Sequence, residues 1–139
     1  MSEIKVDSLT GKTSAGNITV TSEGGLATQS LQQGVIKSWI NFNGKSTVAV
    51  RESFNAASLT DNGEGEYQYS YVNSMADGNY APMTDNQWDE NDDNKATWSC
   101  IAKAPNAVTT SQLRINAAVE YNNLNDSRIV TAQVSGSLA

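Results

Sequence analysis

From Tyr67 to Val72 the chain alternates residue by residue. Tyr67, Tyr69 and Tyr71 fall on one face of an extended segment, and Gln68, Ser70 and Val72 fall on the other. A period of two marks a strand. The stretch before it, SLTDNGEGEY, holds Asn62-Gly63 and Gly65, residues that tolerate the left-handed backbone of a tight reversal. A β-hairpin is therefore expected between Leu59 and Glu66. The tyrosines are expected to form a half-buried sheet face with their hydroxyls at its edge.

The same pattern recurs on both sides. Trp39 to Asn43 reads as a strand, Asn43-Gly44 as a turn, and Thr47 to Phe54 as a returning strand with Val48, Val50 and Phe54 on one face. Asn79 to Met83, Ala96 to Lys103, Gln112 to Glu120 and Arg128 to Val134 follow, and Leu113, Ile115, Ala117 and Val119 align within the third of these. Seven or eight short strands without a long helix point to an all-β fold, an antiparallel β-sandwich or jelly roll.

Residues 1 to 33 are different. They are polar and rich in Ser, Thr, Gly and Gln, with two short candidate strands, Ile4-Lys5-Val6 and Asn17 to Thr21. Such a stretch encloses no core, so it is expected to be an extended arm that orders against something else, with residues 34 to 139 forming the sandwich. Its apolar residues Ile4, Val6, Ile18, Val20, Leu26 and Leu31 are the ones available for assembly or attachment. Ala27 to Lys37 reads as a short helix with Leu31, Val35 and Ile36 on one side, weakened by Gly34.

Composition narrows the function classes. Of 139 residues, 38% are hydrophobic, a modest share from which some burial against a partner chain is expected. The net charge is −6 and the nine Lys and Arg residues are scattered, which argues against nucleic acid as a ligand. No apolar run has membrane-spanning length, so no membrane insertion is expected. MSEIKVDSLTGK lacks a basic stretch followed by an apolar one, so the expectation is synthesis in the cytoplasm without an N-terminal secretion signal. Cys100 is the single cysteine, which rules out an intrachain disulfide; within the alternating TWSCIAK it reads as a small buried hydrophobe.

The chain has no histidine, which removes Ser-His-Asp triads, Cys-His pairs and histidine zinc sites together. GEGEY does not pass from a strand into a helix as a phosphate loop does, and its acids repel phosphate. A two-carboxylate hydrolase needs carboxyls roughly 5 to 10 Å apart, a separation that sequence spacing does not encode. No enzyme activity is expected.

The densest polar feature is DNQWDENDDNK, Asp85 to Lys95. Asp89, Asn91 and Asp93 alternate like the first ligands of a calcium loop, but Asn94 stands where glycine belongs and Cys100 where the closing glutamate belongs. Calcium in another geometry is the one cofactor reading, beside a solvated acidic loop that binds none. Trp88 next to Asp85 offers a ring that stacks on a sugar face and a carboxylate that accepts from its hydroxyls; a tryptophan folded over the core is the alternative.

Four segments resemble a known pattern: KSWINFNG (Lys37 to Gly44), VAVRESFN (Val48 to Asn55), SLTDNGEGEY (Ser58 to Tyr67) and MADGNY (Met75 to Tyr80). In that order they are similar to a module of fibre proteins of tailed bacteriophages, marine and cyanobacterial phages above all. The ending RIVTAQVSGSLA, Arg128 to Ala139, is similar to the close of such chains. The resemblance covers about half the chain; the acidic segment and the strands around Cys100 lie outside it. It implies a virion structural protein, a short tail or head fibre that assembles as a homotrimer with other virion proteins and contacts host-surface glycan, or a capsid decoration protein that stabilises the head. A carbohydrate- or calcium-binding β-module is the second class of function, and a depolymerase of cell-surface polysaccharide the third.

Overall fold

The three alternating tyrosines are the middle of the protein. In a computed structural model, which describes residues 3–15, 18–88, 97–102, 104–119 and 123–139, Tyr67, Tyr69 and Tyr71 are all buried. They lie on the sixth of eleven strands among the described residues: β1 (Thr19–Thr21), β2 (Thr28–Ser30), β3 (Ile36–Asn43), β4 (Ala49–Phe54), β5 (Ala56–Gly63), β6 (Glu66–Tyr71), β7 (Ala81–Gln87), β8 (Thr97–Ile101), β9 (Gln112–Val119), β10 (Asn123–Leu124) and β11 (Ile129–Ser135). One helical turn, α1 (Leu31–Gly34), follows β2. All pairing is antiparallel. No helix among the described residues is long and apolar enough to cross a membrane.

Residues Ile36–Ala139 form one of two units and carry the sandwich. One sheet has the order β4-β3-β11-β7; the other has β10-β9-β6-β5, with β8 also paired to β9. Between them Ile40 and Phe42 of β3 and Val130, Ala132 and Val134 of β11 meet the tyrosines of β6 and Leu113, Ile115 and Ala117 of β9. The rings pack edge to face: Phe42 on Tyr67 at 4.9 Å between centroids, Tyr69 on Tyr71 at 5.3 Å and Tyr71 on Tyr80 at 5.9 Å. Each such pair adds about 0.5–1.5 kcal/mol beyond its buried area. Tyrosines expected at a half-buried face thus form the core, because the facing sheet covers them completely.

The two sheets are joined through a single residue. β4 runs directly into β5, and the turn between sheets falls on Asn55, whose φ of 54° is left-handed. Asn55 Nδ2 donates to the carbonyls of Lys37 (2.9 Å) and Asn73 (3.0 Å), and its Oδ1 accepts from the Asn73 N–H (2.6 Å). Its own carbonyl accepts from the Val72 N–H and the buried Ser38 hydroxyl. Asparagine suits this corner because its short amide tolerates the left-handed region and reaches three neighbouring backbone groups.

A second latch closes the far end. The Tyr67 hydroxyl bonds the Gly44 carbonyl and Asp126 Oδ1, both at 3.0 Å, and Asp126 Oδ1 also accepts from the Gly65 N–H at 2.9 Å. Gly44 must be glycine here: a Cβ would collide with the Tyr67 hydroxyl and lie 2.9 Å from the Ser127 carbonyl.

Several expectations shift. The hairpin forms, but β5 continues through Asn62-Gly63 and the reversal is at Glu64-Gly65, with Gly63 at φ 139° and Gly65 at φ 67°. Val48 packs against the core, whereas Val50 and Phe54 are exposed. For Phe54 the cause is a bulge: Asn41 pairs with Glu52 and Phe42 with Val50, which leaves Arg51 extra and turns Phe54 to the face of Trp39; Val50 keeps the phase of the buried Phe42 but lies on the edge strand of its sheet. Cys100 is exposed, not buried. The inner positions of β8 face the polar side of β7, where the Thr97 hydroxyl bonds the Asn86 carbonyl at 2.9 Å, so hydroxyl side chains point in and Trp98 and Cys100 point out.

The other unit, Met1–Val35, holds the β1–β2 hairpin, with Gly25 at φ 72° in its turn. Residues 3 to 6 take no regular structure, and the helix expected over Ala27 to Lys37 is reduced to α1, flanked by β2 and β3. Gly34 ends it, and Val35 and Ile36 are already extended. Ile4, Val6, Val20 and Leu26 are exposed, Ile4 at 85% and Leu26 at 96%, while Ile18 and Leu31 are partly covered.

Two predictions follow from the corner and the tyrosine core. Asn55→Gly keeps the left-handed backbone and loses the amide bonds; Asn55→Ala loses both, so it should be the less stable of the two by about 1–2 kcal/mol in urea unfolding. Burial raises the pKa of Tyr67, Tyr69, Tyr71 and Tyr80 above that of free tyrosine, Tyr69 to about 12, and the bond to Asp126 raises Tyr67 further. Folded protein therefore holds these protons more tightly than unfolded chain. The resulting stability is complete below about pH 10 and lost as pH rises through the folded values. The melting temperature should show no loss from these groups up to about pH 9, then fall steeply above about pH 10. Tyrosinate absorbance of the native protein should lag that of the urea-unfolded chain.

Candidate functional site

The inner faces of the sandwich are spent on the core, so any ligand chemistry lies on its outer faces or at its ends. On the β4-β3-β11-β7 sheet the register sets two rows of outward side chains. One row reads Phe54, Trp39, Gln133, Met83 across the four strands, and the next reads Glu52, Asn41, Thr131, Asp85. Neighbours within a row stand about 5 Å apart at Cβ.

Between these rows lies a groove of about 430 Å³, lined by Trp39, Asn41, Met83, Asp85, Thr131 and Gln133, with the intervening Ile40, Thr84 and Ala132. A second depression of about 230 Å³ adjoins it over Asn86, Gln87 and Ile129 and shares Asp85 and Thr131. A third, on the other sheet near Glu66 and Arg114, measures about 100 Å³, room for a few waters.

The polar side chains of the large groove are oriented by the protein's own bonds. Arg51 donates to the Asn41 side-chain oxygen at 3.4 Å, to the Phe42 carbonyl at 2.9 Å and to the Arg128 carbonyl at 2.7 Å. The first of these turns the Asn41 amide nitrogen away as a donor. Gln133 Nε2 donates to the Met83 sulfur at 3.3 Å, which leaves its carbonyl oxygen as an acceptor. The Thr131 hydroxyl lies 3.4 Å from the Asp85 carbonyl. Asp85 accepts its neighbour's N–H, from Asn86, on one carboxylate oxygen at 2.8 Å. The groove thus offers one partly exposed indole, one carboxylate, two amides and a hydroxyl; among the described residues no cation lines it, and the Arg51 guanidinium reaches Asn41 from beside it.

The residues nominated from the sequence separate here. Asp85 lies in the groove. Trp88, three residues on, does not line it: Lys45 Nζ sits 4.9 Å from the Trp88 ring centroid, and the Trp88 carbonyl accepts from the Arg128 N–H at 3.0 Å. These contacts tie it to the β3–β4 loop and to the entry of β11. Asp89, Asn91 and Asp93 lie outside the described residues, among which no group of three or more acids and cysteines is placed to hold a metal. The indole the groove does contain is Trp39. Its signal in the sequence is its place in SWINFN, where the residues on either side, Ser38 and Ile40, are buried.

Asn86 marks the inner limit of this region. It is buried, and its Nδ2 donates to the Ser127 hydroxyl at 2.7 Å. That bond places the start of β11 beside β7 and holds the Asp85 backbone in register with Thr131.

No protein-family profile, curated protein or solved structure matches the chain.

Proposed function

We propose that the protein is a non-catalytic structural protein of a tailed-phage virion, a short fibre that self-associates through its N-terminal unit and displays the β-sandwich. The observation that carries the reading is the exposure of that unit's apolar residues. Ile4, Val6, Leu9, Val20 and Leu26 all face solvent in the single chain, and the hairpin beside them has two strands of three residues each. A two-stranded hairpin without a covered face is marginal in water, so these residues need a surface to bury against. Further copies of the same chain supply it in equal number, and three copies match the assembly that the resemblance of residues 37 to 80 to phage-fibre modules implies. The sandwich fits the display role because its core is complete within one chain.

Light-scattering chromatography tests this. The full chain is expected at three times its 14.9 kDa mass. A chain starting at Ile36, or a full chain carrying Val20→Asp and Leu26→Asp, is expected as a folded monomer. A monomeric full chain overturns the reading. Copy number in purified particles then separates a fibre, present at few sites, from a decoration protein that covers the capsid lattice.

A further inference from the structure

We infer that the groove across β3, β11 and β7 is a binding site for a neutral saccharide, with the Trp39 ring under a sugar face and Asp85, Asn41, Thr131 and Gln133 bonding its hydroxyls. The inference stands apart from how the chain assembles, since every residue of the site lies within the sandwich of one chain.

Four observations lead to this ligand class. First, the volume of about 430 Å³ is within the range of small-molecule sites and admits one or two sugar rings. Second, the lining pairs one aromatic ring with groups that both donate and accept. A pyranose has the same duality, an apolar face of C–H groups and a rim of hydroxyls, each of which is donor and acceptor. Third, charge favours an uncharged ligand: Asp85 lines the groove, the chain carries a net charge of −6, and the Arg51 guanidinium beside the groove is engaged by Asn41 and by the Phe42 and Arg128 carbonyls. Fourth, the groove crosses three strands on a sheet face. An extended peptide gains most of its affinity from pairing along an edge, and the face presents side chains, not free backbone groups.

The site is also held ready before any ligand arrives. Arg51 fixes Asn41, the Met83 sulfur engages Gln133, and the Asn86 N–H holds one carboxylate oxygen of Asp85, which reduces the side-chain freedom lost on binding.

The test uses the full chain on an immobilised panel of neutral di- to hexasaccharides built from glucose, galactose, mannose and N-acetylglucosamine. Sialylated and sulfated glycans and choline serve as comparisons, and titration calorimetry follows on the strongest binder. A neutral oligosaccharide should bind. Asp85→Asn should weaken it by about tenfold or more, and Trp39→Ala should abolish it, with Trp39→Phe recovering part. The melting temperature and the light-scattering mass should not change. Asp85→Asn, isosteric and exposed, keeps the test decisive if Trp39→Ala fails to fold. Four results overturn the inference: no neutral sugar binds, binding survives both substitutions, anionic glycans or choline bind better, or the mass falls on Trp39→Ala. The last would make this face a contact between copies of the chain.

Discussion

The sandwich turns on the left-handed backbone of Asn55. A chain that passes from one sheet directly into the facing one must change direction sharply without leaving its backbone groups unpaired, because an unbonded buried peptide group costs about 1–3 kcal/mol. Asn55 resolves the conflict at one residue. Its φ of 54° makes the bend, and its amide bonds the strand behind, through Lys37, and the loop ahead, through Asn73. Since β4 pairs with β3 while β5 pairs with β6, the distance and angle between the sheets are set where this one side chain sits. The tyrosine rings that fill the gap depend on that spacing.

At the other end the constraint is a shared acceptor. Asp126 receives both the Tyr67 hydroxyl and the Gly65 N–H, so the tip of the β5–β6 hairpin, the β3–β4 loop and the approach to β11 are tied together by one carboxylate. Gly44 is needed for the loop to come close enough. The corner fixes the sheets, and the latch fixes the register of β11 between β3 and β7. That register brings Trp39, Gln133 and Met83 into one row and Asn41, Thr131 and Asp85 into the next. The geometry of the outer groove is therefore a consequence of contacts made on the inner side.

What was legible in the sequence was local. The alternation of Tyr67, Tyr69 and Tyr71 and of Leu113, Ile115 and Ala117 announced strands, and all six residues are in the core. Asn62-Gly63 and Gly65 bracket the hairpin reversal, which falls at Glu64-Gly65 because positive φ at Gly63 can be absorbed by a strand as well as by a turn. The bulge at Arg51 and the outward phase of Cys100 escaped, since each depends on what the neighbouring strand presents. The groove was out of reach for the same reason. Trp39, Asp85 and Gln133 lie far apart in the chain, and only the strand order brings them together. Trp88 stands amid acids and so carries a local signal, whereas Trp39 sits in an ordinary strand and carries none of that kind.

The modest hydrophobic share is spread unequally along the chain. A hydrophobic share of 38% suggested that the domain borrows burial from a partner. Within one chain the sandwich fills a core with few but large side chains: Tyr67, Tyr69, Tyr71, Tyr80 and Phe42 each remove far more area from water than the alanines beside them, while Phe54, Val72 and Met83 stay exposed. Tyrosine lowers the mean hydropathy of a chain without lowering the area it can bury. The shortfall falls instead on Met1–Val35, where the apolar side chains are aliphatic, widely spaced and exposed. A unit with apolar residues and no core of its own gains by associating, whereas a unit with a complete core and a polar groove gains by standing free. How each part of the chain meets, or fails to meet, its own need for burial is the physical basis on which a division between assembly and display is proposed.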